Sequence, residues 1–187
     1  MIRPWQIKWW LICLLFGAPD QSSSSEHNTL RRLVAGRKLI LEIGSWMGAS
    51  AVVLGAIARE QDGRLVCVDT WEGEYDQNAW VAKMRNVYRR FWNRIIRAGL
   101  IKTVIPMRGL CADVLPLLAP ESFDAIWIDG DHRYDGVRYD IEQARRLITP
   151  GGLICGHDYD ETHIDVMRAV DEAFGKPEHE GRVWWAK

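Results

Sequence analysis

The chain has 187 residues, which suits one domain with a full hydrophobic core, and its 48% hydrophobic and 26% charged residues are an ordinary globular mixture. A net charge of −1 provides no general attraction to nucleic acid or to an anionic membrane, so we expect neither as a partner. The four cysteines match no zinc pattern and no CxxC motif, which predicts a reducing, cytoplasmic setting without disulfide bonds.

Residues 1–36 are predicted to form an N-terminal arm and linker ahead of a single domain over residues 37–187. The arm has an apolar run over residues 9–18, which is too short to span a bilayer, so no membrane span is expected. Its outline is that of a secretory signal peptide, but Pro19 makes the cleavage site poor, and we expect a cytoplasmic location rather than secretion. The alternatives for the run are an amphipathic arm packed on the domain and a mobile leader. Residues 21–25 are predicted to be a flexible linker.

From residue 37 onward, apolar strands alternate with helical patterns, which is typical of a parallel sheet covered by helices on both faces. The predicted fold is therefore α/β: a Rossmann-like, doubly wound domain with a mostly parallel sheet. The predicted strands are residues 39–43, 65–68, 104–107, 123–128, 153–155 and 182–186. Two predicted helices are residues 49–59 and 114–118. Two more are predicted from their apolar faces. The first face consists of Val137, Ile141, Ala144 and Leu147, and the second of Ile164, Met167, Val170 and Phe174.

A further long helix is predicted over residues 78–97, between the second and third predicted strands. Between Lys83 and Arg97 it carries six basic residues and no acidic one. A solvated face and a contact with an anionic substrate or partner both explain such a run. Its predicted apolar face consists of Trp80, Met84, Val87, Tyr88, Phe91, Trp92 and Ile95.

A glycine-containing turn follows the first predicted strand, with the pattern Glu42-x-Gly44-x-x-x-Gly48. In open α/β sheets, ligands bind at the carboxyl ends of strands, where backbone N–H groups and a helix N-terminus suit a carboxylate. Asp69 ends the second strand, near the offset at which an acid meets ribose hydroxyls. Because an acid before the glycines disfavours a pyrophosphate and suits an ammonium group, the turn predicts S-adenosylmethionine rather than NAD. A tight turn without a ligand is the alternative.

Ionisable side chains also gather at the ends of the fourth and fifth predicted strands. Asp129, Asp131 and His132 follow the fourth strand, and His157 and Asp158 follow the fifth, on the edge that carries the glycine turn. Carboxylates beside imidazoles can orient a general base or bind a divalent metal. The alternative is capping of strand ends and hydrogen bonding within loops.

These motifs together resemble the class I S-adenosylmethionine-dependent methyltransferases of the methyltransferase 24 type. The resemblance runs from Leu39 to the end of the chain, and that family is broad in its substrates. Sugar O-methyltransferases are similar, as are catechol-type O-methyltransferases more distantly. The matching stretches are residues 42–50, 68–71, 128–134, 150–152 and 156–159.

The resemblance implies which residues bind the cofactor. The methionine part would lie against the glycine turn, the ribose hydroxyls on Asp69, and the adenine beside Trp71 and the residues after the third strand. Many relatives have an Asp–Ser pair where this chain has Leu110 and Cys111, and glycine where it has Trp46, so these contacts are expected to differ. The implied cofactor-binding residues are Glu42, Gly44, Ser45, Gly48, Ser50, Asp69, Trp71, Gly109, Leu110, Cys111 and Asp129.

The resemblance also implies methyl transfer to a hydroxyl group, which must be aligned with the sulfonium methyl and lose a proton. His132 is the predicted general base, because an unperturbed imidazole titrates near neutrality, and Asp129 is the second predicted catalytic residue. In metal-dependent relatives the matching positions bind magnesium. Asp129, His157 and Asp158 are therefore the predicted Mg²⁺ ligands, although a histidine nitrogen is a poor ligand for that ion. The histidines outside the motifs are expected at the surface: His27, His163 and His179.

The sequence therefore predicts O-methylation of a small molecule or a sugar hydroxyl, with a small-molecule acceptor as partner and a homodimer as an open alternative to a monomer. A non-catalytic or accessory S-adenosylmethionine-binding domain is the second hypothesis; it would keep residues 42–50 but need neither His132 nor Asp158. The glycine spacing disfavours a nicotinamide-dependent reductase, and the lack of an N-P-P-Y-like motif disfavours nucleic-acid methylation. Residues 71–92 and the N-terminal segment are expected to form the acceptor pocket.

Overall fold

The computed structural model describes residues 22–72 and 86–186, and it places seven strands of these segments in one sheet. The predicted N-terminal apolar run and the first part of the helix predicted from residue 78 lie outside the described residues. The strands are β1 (Leu39–Ile43), β2 (Arg64–Asp69), β3 (Val104–Arg108), β4 (Phe123–Ile128), β5 (Ile148–Gly156), β6 (Glu178–Glu180) and β7 (Val183–Ala186). The helices are α1 (Ser24–Leu33), α2 (Ala49–Glu60), α3 (Val87–Arg97), α4 (Cys111–Val114), α5 (Tyr134–Leu147) and α6 (Ile164–Phe174), with a 3₁₀ turn at Leu115–Leu117.

The strand order is β3-β2-β1-β4-β5-β7-β6. Strands β1 to β5 pair in parallel, and β7 lies antiparallel between β5 and β6. The chain winds outward from β1 to β3 and then returns to β4 on the other side of β1, which creates a topological switch point between β1 and β4. Ligands of open α/β sheets bind at such a point, beyond the carboxyl ends of the strands. The predicted Rossmann-like, mostly parallel fold is confirmed.

The sheet is covered on both faces, which explains why its central strands are continuous apolar runs. Side chains alternate along a strand, so Ile40 contributes to the core under α1, α2 and α3, whereas Leu41 contributes to the core under α4, α5 and α6. Glu42 is fully buried in the middle of the same strand. A charged residue at such a position requires an explanation from its hydrogen bonds.

Helix α1 replaces part of the predicted linker, so that prediction was wrong for the described residues of 21–25. Ser23 is the N-cap: its hydroxyl accepts a hydrogen bond from the backbone N–H of Glu26, and the Glu26 carboxylate accepts one from the Ser23 N–H. This reciprocal capping box starts a helix within a serine-rich stretch. Leu30 and Val34 then pack into the domain core. The domain boundary at residue 36 stays a prediction, but α1 packs as part of the domain.

The long helix predicted over residues 78–97 does not run unbroken. Its described part starts at Val87, and Asn86 before it has a left-handed backbone with φ 71°. An α-helix cannot continue through that conformation. The predicted apolar face is confirmed where it is described, since Val87, Phe91 and Ile95 are buried. In the segments that the structure describes, no helix has the length and apolar character needed to cross a membrane.

Two elements begin several residues earlier than predicted, and one strand was not predicted at all. Strand β5 begins directly after α5, at Ile148 rather than Leu153, and the pairing with β4 shifts register between Phe123 and Ala125. Helix α4 starts at Cys111, earlier than residue 114. The short strand β6 was missed because its three residues are all exposed and polar, so no apolar pattern indicates a strand.

Candidate active site

The turn between β1 and α2 needs glycine at two positions. Gly44 has φ 83°, and a Cβ atom there would lie 2.1 Å from the carbonyl oxygen of Asp129. Gly48 has φ 78°, and its Cβ would lie 2.9 Å from the Phe91 ring. Both the backbone conformation and the close approach exclude a side chain. The turn therefore lies directly against the loop that follows β4, as the sequence predicts for the edge of the sheet.

The buried carboxylate of Glu42 holds this turn through hydrogen bonds. Its carboxylate accepts hydrogen bonds from Ser45 Oγ at 2.5 Å, Ser50 Oγ at 2.6 Å and Cys67 Sγ at 3.2 Å. Burial among these neutral donors raises the pKa of Glu42 to about 7. The structure gives Glu42, Ser45 and Ser50 a role in shaping the turn, and their contact with a cofactor stays a prediction.

Asp69 joins the ends of β1 and β2. Its Oδ2 accepts hydrogen bonds from the backbone N–H groups of Ser45 at 2.8 Å and Trp46 at 2.7 Å, and its Oδ1 accepts one from Trp71 N–H at 2.6 Å. Trp46 and Trp71 both have positive φ, of 39° and 53°. The acid predicted to bind ribose thus lies beside the glycine turn and fixes two sharp bends of the backbone.

Trp71 belongs to an aromatic cluster with α3. Its ring centroid lies 4.8 Å from that of Tyr88 and 5.0 Å from that of Phe91, and Trp92 packs edge-on against both of these rings. Such contacts explain why α3 docks next to the glycine turn. The Trp71 indole Nε1 is buried and has no hydrogen-bond partner among the described residues. The predicted contact of Trp71 with adenine stays a prediction.

The residues after β3 approach the same edge. Gly109 N–H donates to the Asp69 carbonyl at 3.0 Å, Leu110 is 56% exposed, and Cys111 is half-buried. The Cys111 thiol interacts with Asp140, a buried residue of α5 that the sequence analysis did not single out. Burial raises the pKa of Asp140 to about 7. The predicted adenine contacts of Gly109, Leu110 and Cys111 stay predictions.

Asp129, His132 and Asp158 form an acid–imidazole cluster at the ends of β4 and β5. Each offers a ligand atom within 4.8 Å of the others. His132 Nε2 lies 2.9 Å from Asp158 Oδ2. Burial raises the pKa of Asp129. Burial alone would also raise the pKa of Asp158, but hydrogen bonds from His132 and His157 hold it well below its usual range.

His157 is buried beside this cluster, with Nδ1 3.8 Å from Asp129 Oδ1, and its predicted role as a metal ligand stays a prediction. The atoms that come together are those of Asp129, Asp158 and His132. His157 is only 5% exposed, with Nδ1 3.2 Å from Asp158 Oδ1 and Nε2 3.4 Å from Glu26 Oε1. Burial alone would lower the pKa of His157, but Asp158 and Asp129 raise it. His157 is therefore placed to support these carboxylates.

Three residues that contact this cluster or its supports were not predicted from the sequence. Glu26 and Arg182 form an ion pair, with Nε and Oε1 3.0 Å apart, and Arg182 Nη1 also lies 3.1 Å from Asp158 Oδ1. His163, expected at the surface, is half-buried, 3.7 Å from Asp158 Oδ1, and its ring centroid lies 5.2 Å from that of His132. The Ser23–Glu26 spacing of a capping box was a usable sequence signal for α1. Nothing in the sequence links Glu26 to Arg182.

The donor set fits a divalent cation only in part. Two carboxylates and an imidazole are within reach of one ion, but Mg²⁺ prefers an all-oxygen set. Asp158 also already faces four cationic or potentially cationic groups, on Arg182, His157, His132 and His163. Arg182 therefore already lies against the Asp158 charge, while the cluster retains the ligand atoms for a metal ion.

The methyltransferase 24 family model, described as a methyltransferase domain, matches residues 41–159, which include the glycine turn and the acid–imidazole cluster. The chain belongs to this methyltransferase family. The resemblance drawn from the motifs is thereby confirmed.

Individual relatives agree with this assignment. A protein of Mycobacterium sp. (strain JLS), named as a candidate O-methyltransferase, is 32% identical over 142 residues, which cover 75% of this chain. The matched region is 57% of that relative, so this chain spans less than two thirds of its length.

Solved structures share the fold of this methyltransferase domain. The O-methyltransferase TomG from Streptomyces achromogenes, in complex with S-adenosylmethionine, has a TM-score of 0.69 at 19% identity, covering 99% of this chain and 89% of that one. An O-methyltransferase from Bacillus cereus, in complex with S-adenosylhomocysteine, has a TM-score of 0.60 at 23% identity, covering 92% and 87%. At these identities the likeness shows the fold.

Proposed function

We propose that the chain is an S-adenosylmethionine-dependent O-methyltransferase that acts on a hydroxyl group of a small molecule or a sugar. The observation that carries the proposal is the glycine turn, supported from below by Glu42 and joined to Asp69 at the switch point of the sheet. Family membership supports it, as do the O-methyltransferases of the same fold that were solved with this cofactor or its product.

The cofactor side of the site uses mainly backbone groups. Gly48 is the N-cap of α2 and has no side chain to cap it, so the first N–H groups of the helix suit the carboxylate of the methionine part. Asp69 lies at the end of β2, where ribose hydroxyls would share its carboxylate with the loop N–H groups. When bound, S-adenosylmethionine supplies the electrophilic methyl group.

His132 is the proposed general base. A proton on its Nε2 donates to Asp158, and that tautomer leaves the lone pair on Nδ1 to take the proton of the acceptor hydroxyl. About a quarter of the His132 side chain is exposed, so an acceptor can reach it. Asp158 orients the ring and stabilises its protonated form, as a carboxylate does in other acid–imidazole pairs.

A divalent cation bound by Asp129 and Asp158 is an alternative to this arrangement, with His157, as predicted, or His132 as the third ligand. If His132 binds the ion it cannot also be the base, because a neutral imidazole has only one free lone pair. Such an ion would orient the acceptor oxygen and lower its pKa. A small-molecule acceptor, a homodimer and a cytoplasmic location are retained as predictions.

Isothermal titration with S-adenosylhomocysteine and with NAD tests the proposed cofactor. We expect the wild type to bind S-adenosylhomocysteine and not NAD, and Asp69→Asn to bind it about tenfold more weakly through loss of hydrogen bonds to a charged group. Asp113→Asn, an exposed acid in α4, is the matched control and should bind like the wild type. Binding of NAD alone would contradict the proposal. Binding of S-adenosylhomocysteine without turnover in a panel of phenolic and sugar acceptors would favour a non-catalytic domain.

A further inference from the structure

We infer that Glu26 and Arg182 are positioning residues for the acid–imidazole cluster: together they hold His157 and Asp158 so that Asp158 faces His132. The inference rests on the proposed function, because it assigns His132 as the base. Neither residue belongs to the segment matched by the family model, residues 41–159. They come from the first helix and from the turn before the last strand, and they meet behind the cluster.

Glu26 is held rigidly by its own helix. The capping box fixes its carboxylate to the Ser23 N–H at 2.6 Å. Its side chain is only 10% exposed and faces two nitrogen donors, Arg182 Nε at 3.0 Å and His157 Nε2 at 3.4 Å. Burial alone would raise the pKa of Glu26, but these partners lower it to about 2, so it is ionised under physiological conditions. A fixed negative charge therefore lies against both Arg182 and His157.

Arg182 and His157 carry the effect of Glu26 to Asp158. Arg182 uses Nε for Glu26 and Nη1 for Asp158 Oδ1, 3.1 Å away. His157 places Nε2 toward Glu26 and Nδ1 3.2 Å from the same Asp158 oxygen. Both bridges therefore hold Oδ1 of Asp158, and its other oxygen, Oδ2, lies 2.9 Å from His132 Nε2. Arg182 and His157, each of which also faces Glu26, therefore hold one oxygen of the Asp158 carboxylate, and the other oxygen faces His132.

Loss of the Glu26 charge would leave the half-buried Arg182 guanidinium and the buried His157 ring without their acid. A buried cationic group that loses its partner is strongly unfavourable, so Arg182 and His157 are expected to move toward the remaining carboxylates. Those carboxylates are Asp158 and Asp129, the latter 3.8 Å from His157 Nδ1. The Asp158 carboxylate would then turn away from His132. Glu26 therefore acts on the base through two intermediaries and touches no reacting atom.

A purely structural role is the competing explanation, since Glu26 also anchors α1 to the β6–β7 hairpin. The chain offers a matched control. Arg32 of α1 and Glu180 of β6 join the same two elements by an ion pair of 2.5 Å, with side chains 62% and 54% exposed. Glu180→Gln removes an anchor between the helix and the hairpin and leaves the bridges to Asp158 in place.

Long-range ¹H–¹⁵N spectra of the histidine rings in the full chain test the inference without an acceptor. In Glu26→Gln we expect the ring resonances of both His157 and His132 to shift from their wild-type positions, and in Glu180→Gln neither set to shift. Affinity for S-adenosylhomocysteine should stay within about twofold in both variants, because the ion pairs of Glu26 and Glu180 are with Arg182, His157 and Arg32 and not with the glycine turn. Unshifted His132 resonances in Glu26→Gln would overturn the inference, as would equal shifts in Glu180→Gln.

Arg182→Lys covers the case in which Glu26→Gln does not fold. Lysine keeps the charge but lacks the two-armed guanidinium that reaches Glu26 and Asp158 together. His132 resonances should shift in this variant too, and wild-type positions there would count against the inference. Failure of the wild type to bind S-adenosylhomocysteine would refute the proposed function but leave the spectral comparison readable.

Discussion

The two halves of the site hold buried acids in opposite ways. Glu42, under the glycine turn, receives only hydroxyl and thiol hydrogen bonds, and its pKa rises to about 7. Glu26 and Asp158, beside the second half, face Arg182 and histidine rings, and the pKa of each is lowered. Neutral donors shape the turn without adding charge, whereas cationic donors keep Glu26 and Asp158 ionised. The cofactor half is therefore built by backbone geometry and the catalytic half by ion pairs.

Gly44→Ala breaks the contact between the two halves and has the largest expected effect. A methyl group 2.1 Å from the Asp129 carbonyl oxygen must push β1 and the β4 loop apart. We expect a loss of at least about 3 kcal/mol in the free energy of unfolding, measured by urea denaturation. Gly36→Ala is the control: its φ is 76°, but nothing lies within 4 Å of the added Cβ. It should cost only about 1 kcal/mol. Equal losses in the two variants would show that the positive φ, and not the close approach to Asp129, sets the cost of the substitution.

His132→Gln separates chemistry from cofactor binding. We expect turnover of a hydroxyl acceptor to fall by about 10²- to 10⁴-fold, the usual contribution of a general base, while affinity for S-adenosylhomocysteine is unchanged. His179→Gln, which alters an exposed histidine of β6, should leave turnover unchanged. A rate for His132→Gln within twofold of the wild type would remove this residue as the base.

Glu42→Gln tests the cofactor half, in which the buried acid receives only neutral donors, through the pH dependence of stability. The folded-state pKa of Glu42 is about 7 and its ordinary value is 4.5, so the unfolded chain loses this proton first as pH rises. The wild type should therefore lose stability between pH 4.5 and 7, by about 3 kcal/mol from this residue. Urea midpoints across this range should decline less steeply in Glu42→Gln. The exposed Glu60 provides the control variant, Glu60→Gln, which should keep the wild-type slope.

Glu26→Gln should change how stability depends on pH at the acid end, and the change should be smaller than that of Glu42→Gln above pH 4.5. The pKa of Glu26 is lowered to about 2, so its stabilising contribution is present above pH 4.5 and is lost as pH falls toward 2. Acid unfolding of the variant should show a shallower decline over that range, measured by circular dichroism. An unchanged acid limb would mean that the ion pair with Arg182 contributes little to stability, as exposed pairs do.

Local patterns predicted the sheet better than they predicted the site. The bounds of β1 and β4 agree with their apolar runs because both faces of these strands are buried, and the carboxyl ends of parallel strands must share one edge. The glycine turn, Asp69 and the acids after β4 and β5 were therefore placed together correctly. These are consequences of short-range periodicity and of one topological rule.

Contacts between distant parts of the chain were not predictable in this way. The pairs Glu26–Arg182 and Cys111–Asp140 join different elements, and no spacing in the sequence announces them. His157 was assigned to a metal only by its matching position in metal-dependent relatives, and its contact with Glu26 could not be predicted because Glu26 lies in a distant helix. The left-handed backbone at Asn86 also lacked a signal, since the apolar pattern in the sequence runs through that position without interruption.

The meeting of α1 with the last strands has a consequence for defining the minimal catalytic unit. A truncated chain starting at residue 37 would retain every residue of the glycine turn, and with them the groups that hold the methionine and ribose parts of a ligand. It would lack the acid that lies against His157 and Arg182. It would also lose Leu30 and Val34 from the core, so the span of the sequence motifs alone is a poor guide to where the functional domain begins.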